Sequence, residues 1–142
     1  MSVVVDASVF VAASRPSEAH YRESVEFLVM LRREAETICC PVLVLAECSG
    51  AIARMTQSSA LAGRIVRLIE GIENLQMIPL TLALAKQAAQ LAGDHRLRGA
   101  DAVYVAAASE LKAALVTWDD EMLQRSPRTV SAITPAQWIR KA

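Results

Sequence analysis

Apolar and polar positions along the chain follow two rhythms in turn. The first apolar run, Val3-Val4-Val5, is short and β-branched and stops at Asp6, which predicts a buried strand. Across residues 18–36 the apolar positions Tyr21, Val25, Leu28, Leu31 and Ala35 recur at steps of four, three, three and four, the spacing of an amphipathic helix. Residues 37–40 predict a second buried strand, and Pro41 suits the first turn of a helix reaching about Thr56. Ser58 or Ser59 caps the next helix, whose stripe is Leu61, Ile65, Leu68, Ile69 and Ile72. Residues 76–79 read as a third strand, and Thr81 opens an alanine-rich helix to Gly93. A helix from near Gly99 to Lys112 feeds a strand over 114–117. Asp119 caps a short helix through Gln124; a weak strand over 129–133 and a helix after Pro135 follow.

Strands alternating with helices imply parallel strands joined by crossover helices, an α/β layered fold. At 142 residues, with no repeat and no linker-like tract, the expectation is a single domain over 1–142. A hydrophobic content of 54% with 21% charged residues excludes global disorder. The 15 basic residues balance the 15 acidic ones, so no bulk positive field attracts a polyanion, and any such partner must be held locally. Cys39, Cys40 and Cys48 offer neither a zinc spacing nor a paired disulfide framework, which fits a reducing compartment. No basic leader precedes an apolar core at the start, and no apolar run approaches the roughly 18 residues of a membrane span. A soluble, cytoplasmic protein is expected.

The acids stand at unusual places. Asp6 lies where the first strand ends and Asp119 just beyond the strand over 114–117, so both should face the rim where open parallel sheets bind ligands. Asp101 sits in the first turn of the helix feeding that strand, and Glu47 interrupts the apolar run over 41–46. Aspartates at helix starts also serve as caps, which accounts for Asp6, Asp101 or Asp119 taken singly. Glu47 lacks a Lys or Arg three or four residues away, and a carboxylate on an apolar stretch is costly to bury unpaired. Four acids on one rim repel each other unless a cation lies between them. An all-oxygen set suits Mg²⁺ or Mn²⁺, and a hard ion beside a parallel sheet suits phosphate chemistry.

The segments Val-Val-Asp6-Ala-Ser8, Leu-Ala-Glu47, Leu-Arg98-Gly-Ala-Asp101-Ala-Val-Tyr-Val-Ala and Leu-Val-Thr117-Trp-Asp119 together resemble the PIN-domain ribonucleases, in particular VapC-type toxins of toxin–antitoxin pairs. The resemblance runs over nearly the whole chain. It implies a three-layer α/β/α sandwich with a central parallel sheet and a Mg²⁺- or Mn²⁺-dependent endoribonuclease leaving a 5′-phosphate and a 3′-hydroxyl. Asp6, Glu47, Asp101 and Asp119 would be the catalytic, metal-holding acids, with Ser8 and Thr117 as supporting hydroxyls. It further implies a homodimer, inhibited by a cognate antitoxin whose tail occupies the acidic cleft, and binding promoter DNA only through the antitoxin. Asp120 follows Asp119 directly, and the Thr-x-Asp spacing favours Asp119 as ligand.

RNA contacts fall to the arginines that flank the motifs: Arg15, Arg96, Arg98, Arg125 and Arg128. Solvated surface roles account for each of them equally well. Trp118 either stacks on a base or packs beneath the short helix. Two enzyme rivals are poorer matches: a haloacid-dehalogenase pattern wants an aspartate where Ser8 stands, and a receiver domain wants a late lysine that residues 114–119 lack. A different class of reading is a catalytically weak, toxin-like dimer acting mainly as an antitoxin-binding module.

Overall fold

The computed structural model describes residues 1–142. Val3, Val4 and Val5 are wholly buried because their strand, β1 (Ser2–Val5), is the middle of the sheet. In chain order there follow α1 (Ala7–Ala13), α2 (Tyr21–Arg33), β2 (Thr37–Pro41), α3 (Val44–Thr56), α4 (Ser59–Glu70), β3 (Leu75–Ile78), α5 (Leu82–His95) and α6 (Gly99–Leu111). β4 (Ala114–Val116), α7 (Asp120–Arg125), β5 (Ala132–Ile133) and α8 (Pro135–Lys141) complete the chain. The strands form one parallel sheet in the order β3-β2-β1-β4-β5. Val4 faces Cys39 of β2 on one side and Leu115 of β4 on the other.

This order positions the site. The chain lays β2 and β3 outward on one side of β1, then returns to lay β4 and β5 on the other. Right-handed crossovers running in opposite directions put their helices on opposite faces, giving three α/β/α layers. One layer is α6 with α5 packed outside it; α6 lies against β1, β2 and β4. The other contains α1, α2, α3, α4 and α8, which contact one another. The direction of winding reverses between β1 and β4, and such a switch point opens a crevice beyond the carboxyl ends of the two strands.

Local sequence explains most elements. Every residue from Asp101 to Ala108 on α6 is buried, as expected for a helix enclosed between a sheet and a second helix. Its alanines let its backbone approach the sheet closely. Thr81 and Ser58 cap α5 and α4 through side-chain oxygens, and Thr134 with Gln137 forms a full capping box on α8.

Three local expectations change. The helix after the second strand begins at Val44, because Pro41 remains in β2, paired in register with Ile78 of β3. The first strand is followed by α1, a helix that β-branched Val9 and Val11 disguise and that the Asp6 cap initiates. On α2 the buried positions are Ser24, Phe27 and Leu31 rather than the Tyr21–Val25–Leu28 line. No helix is long and apolar enough to cross a membrane.

Phe27 is fully buried and meets Trp138 edge-on with ring centroids 5.9 Å apart, pinning α8 to α2. Phe27→Ala should cost about 3–5 kcal/mol in chemical denaturation. Val29→Ala, on the same helix and 43% exposed, should stay within about 0.5 kcal/mol.

Candidate active site

Each acid is delivered to the crevice by a different element. Asp6 follows β1, and its backbone N–H donates to the Val116 carbonyl at the end of β4 (3.0 Å). Asp6 Oδ2 accepts from the Ser8 N–H (3.3 Å) and the Thr117 hydroxyl (2.8 Å), so the cap of α1 is also a link to β4. Thr117 Oγ1 in turn accepts the Asp119 N–H at 2.9 Å, and Ser8 Oγ accepts the Trp118 N–H at 3.0 Å. These two hydroxyls lace the ends of the two strands together. Asp119 Oδ1 accepts the Met122 N–H (2.9 Å) and caps α7, leaving Oδ2 to face the crevice. Asp101 enters from the first turn of α6. Glu47 enters from α3, with Oε1 accepting the hydroxyl of fully buried Tyr104 at 2.7 Å.

Asp6, Glu47, Asp101 and Asp119 line one cleft of about 380 Å³, together with Ser8, Arg54 and Arg98. Burial raises the Asp6 carboxyl above its usual range against the pull of its hydrogen bonds to Ser8 and Thr117. Desolvation also raises Glu47; the Tyr104 bond opposes this, and the charges of Asp6 and Asp101 add to it. Asp101 is raised by desolvation, opposed by Arg98, with Asp119 and Asp6 adding repulsion. The donors are oxygens only. The nearby Cys48 thiol points to the Ala7 carbonyl, and burial pushes it up to about 12. Partly desolvated, mutually repelling carboxylates without a nitrogen or sulfur ligand fit a hard divalent cation.

The tightest oxygen group is not the one the spacing suggested. Carboxylate oxygens of Asp101, Asp119 and Glu121 lie within 4.8 Å of one another, with Asp6 and Glu47 outside that group. The Arg98 guanidinium draws the three together: Nε is 3.0 Å from Asp101 Oδ2 and 3.8 Å from Glu121 Oε2, and a terminal nitrogen is 2.7 Å from Asp119 Oδ2. Glu121 was missed by sequence reading; its only signal is its place in the first turn of α7, two residues beyond Asp119. Asp120 is exposed on that same turn.

The arginines disperse. Arg98 is at the mouth of the cleft, while Arg15 lines a separate pocket with Arg64, Ile52, Leu61 and Leu68. Arg125 pairs with Glu121 at 3.3 Å and donates to the carbonyl of exposed Arg96 at 2.9 Å. Arg128 is exposed. Trp118 packs against the start of α2, donating to Ser24 Oγ (2.8 Å) and stacking on His20 with centroids 3.8 Å apart.

A carboxylate cleft at the switch point of a five-stranded parallel sheet defines a class of α/β domain with an acidic site. The chain belongs to the PIN domain family, whose model matches residues 3–128. Among solved structures the fold is similar to VapC20 of Mycobacterium tuberculosis, a Sarcin–Ricin loop cleaving toxin, with 16% identity, TM-score 0.74, and coverage of 91% of this chain and 98% of that one. It is similar also to VapBC2 of Rickettsia felis bound to a promoter DNA fragment (16% identity, TM-score 0.72, 94% and 98% covered). A toxin–antitoxin complex from Klebsiella pneumoniae matches with 16% identity, TM-score 0.67, and 94% and 97% coverage. No curated protein matches the sequence.

Two outcomes follow from this electrostatic arrangement. Asp6, Glu47 and Asp101 hold protons more tightly folded than unfolded, so their stabilising contribution is full below the ordinary carboxylate range and is lost as pH rises through their raised values. Thermal melts in chelator should therefore show Asp6→Asn at least as stable as the parent at pH 7.5, with the gain vanishing near pH 4. Tyr104→Phe removes the one hydrogen bond that lowers Glu47, so the Glu47 carboxyl should titrate higher in an NMR pH series while the fold persists.

Proposed function

We infer that this protein is a metal-dependent endoribonuclease and the toxin of a toxin–antitoxin pair. The observation that carries the reading is the convergence of Asp6, Glu47, Asp101 and Asp119 on one cleft of a PIN domain, three of them with raised carboxyls. Asp6, Glu47 and Asp101 would hold Mg²⁺ or Mn²⁺, with Asp119 supporting it through water. Bound there, the ion supplies charge neutralisation for a phosphodiester and activation of a water.

The chain's own groups do the rest. Thr117 and Ser8 fix Asp6 through Oδ2, which leaves Oδ1 without a hydrogen-bond donor and free to face the cleft. Tyr104 fixes Glu47 through Oε1, leaving Oε2 as the oxygen that would help hold the ion. Water attack in line with the scissile bond forms the new P–O bond and breaks the P–O3′ bond, the water's proton ending on the departing 3′-oxygen, so the products are a 5′-phosphate and a 3′-hydroxyl. Arg98 at the cleft mouth, with Arg15, Arg96 and Arg125 farther out, binds phosphates flanking that bond. The zero net charge makes this grip local, so substrate choice rests on the shape of the RNA around the cut.

Protein partners follow from the same reading. VapBC2 of Rickettsia felis and the Klebsiella pneumoniae complex are pairs, the first bound to promoter DNA. By analogy a cognate antitoxin covers this cleft in the cytoplasm, promoter DNA is reached only through it, and the chain itself forms a homodimer. Exposed Met55, Leu61 and Leu68 on α3 and α4 supply apolar surface for such contacts.

The purified protein incubated with total RNA and Mg²⁺ or Mn²⁺ should yield discrete fragments with 5′-phosphate ends. Chelator should abolish them, and Asp6→Asn or Asp101→Asn should lower the cleavage rate by about 10³-fold or more, the scale of losing a preorganised electrostatic group. Undiminished cleavage by a folded Asp6→Asn protein would overturn the assignment.

A further inference from the structure

We propose that Arg98 serves as the built-in cation of the outer carboxylates Asp101, Asp119 and Glu121, and so restricts the cleft to one divalent ion held by the inner acids Asp6, Glu47 and Asp101. The inference rests on the metal-dependent reading above and specifies how many ions that site takes.

The division is visible in which oxygens are engaged. Asp101 Oδ2 and Asp119 Oδ2 both accept from the Arg98 guanidinium, and Asp119 Oδ1 is committed to the cap of α7. Both Asp119 oxygens therefore have donors already. On the inner side, Asp6 Oδ2 and Glu47 Oε1 accept from Thr117 and Tyr104, while Asp6 Oδ1, Glu47 Oε2 and Asp101 Oδ1 accept no hydrogen bond. An ion taken up by those unengaged oxygens, which it would have to draw together because Asp6 and Glu47 lie outside the 4.8 Å group, would leave Arg98 undisturbed. An ion that took Asp119 and Glu121 would have to expel it.

Charge leads to the same division. Arg98 is the only basic side chain within 4.0 Å of Asp6, Glu47, Asp101 or Asp119, and its guanidinium is held more firmly protonated by Asp101 and Asp119. Arg54 lines the cleft but forms no ion pair. A fork of several donors suits carboxylates whose oxygens lie within 4.8 Å of one another, which a lysine ammonium would satisfy only as a point charge. The Arg98 side chain is 67% exposed, so it is anchored by these charges rather than by packing, and its removal should leave the core intact.

Counting bound Mn²⁺ by electron paramagnetic resonance tests the proposal without any cleavage assay. The parent should bind one ion, lost in Asp6→Asn. Arg98→Gln should bind a second ion at least roughly tenfold tighter than any weak second site of the parent, the scale of a lost charge-assisted hydrogen bond. Adding Asp119→Asn to Arg98→Gln should remove that second ion, and Arg98→Lys should fall between parent and Arg98→Gln. The Arg98 Nε–H resonance should stay protected when the parent takes up one equivalent of Mg²⁺. Two ions in the parent, one of them lost with Asp119→Asn, would overturn the proposal. So would an Arg98→Gln protein, folded by circular dichroism, that still binds one ion with unchanged affinity. No ion bound to the parent at all would overturn the metal-dependent reading itself, and this proposal with it.

Discussion

The hydrogen bond from the Thr117 hydroxyl to Asp6 Oδ2 joins the ends of two strands that the chain lays down at opposite stages of its course. Thr117 is fully buried, and its oxygen both donates to Asp6 and accepts from the Asp119 N–H. The bond thus sets where the first acid points and where the last one begins. Ser8 repeats the tie from the other side by accepting the Trp118 N–H. Leaving a buried carboxylate unsatisfied costs a desolvation penalty of about 1–3 kcal/mol or more, so these hydroxyls allow Asp6 to stand at the sheet's crevice at all.

Around that anchor the molecule accepts repulsion that a purely structural domain would avoid. Desolvation raises Asp6, Glu47 and Asp101 in a cleft of about 380 Å³, and neighbouring acids raise Glu47 and Asp101 further. Two kinds of relief are built in: neutral donors from Thr117, Ser8 and Tyr104 on the inner side, and the Arg98 guanidinium on the outer side.

Capping a helix and lining the cleft coincide at two positions. Sequence reasoning sets helix capping and a functional carboxylate against each other at Asp6 and Asp119. In the structure one oxygen of Asp119 caps α7 while the other faces the cleft, and Asp6 caps α1 while its second oxygen is free. The strands and most helices were legible because period and capping residues agree there. Helix α1 was not, since seven residues rich in valine and alanine carry no decisive period, and its start depends on the cap. Pro41 misled because a proline at a strand's last position and one at a helix's first turn look alike in sequence. The strand order was also invisible: β-branched runs announce burial but not which strand neighbours which. The Arg98–Asp119–Glu121 cluster was invisible for another reason: it forms only when α6 folds back along β4, which brings the residue before α6 to the start of α7.

The pairing of β1 with β4 also sets a clock. Asp6 and Thr117 are 111 positions apart, yet they touch. On a ribosome, Asp6 and Glu47 emerge long before Asp101, Thr117 and Asp119, and β1 has a partner on only one edge until β4 arrives. Every shorter nascent chain therefore has an incomplete carboxylate set and an Asp6 without its threonine donor. Whatever chemistry the cleft performs, it cannot develop by degrees during synthesis. It begins only when the fourth strand docks beside the first.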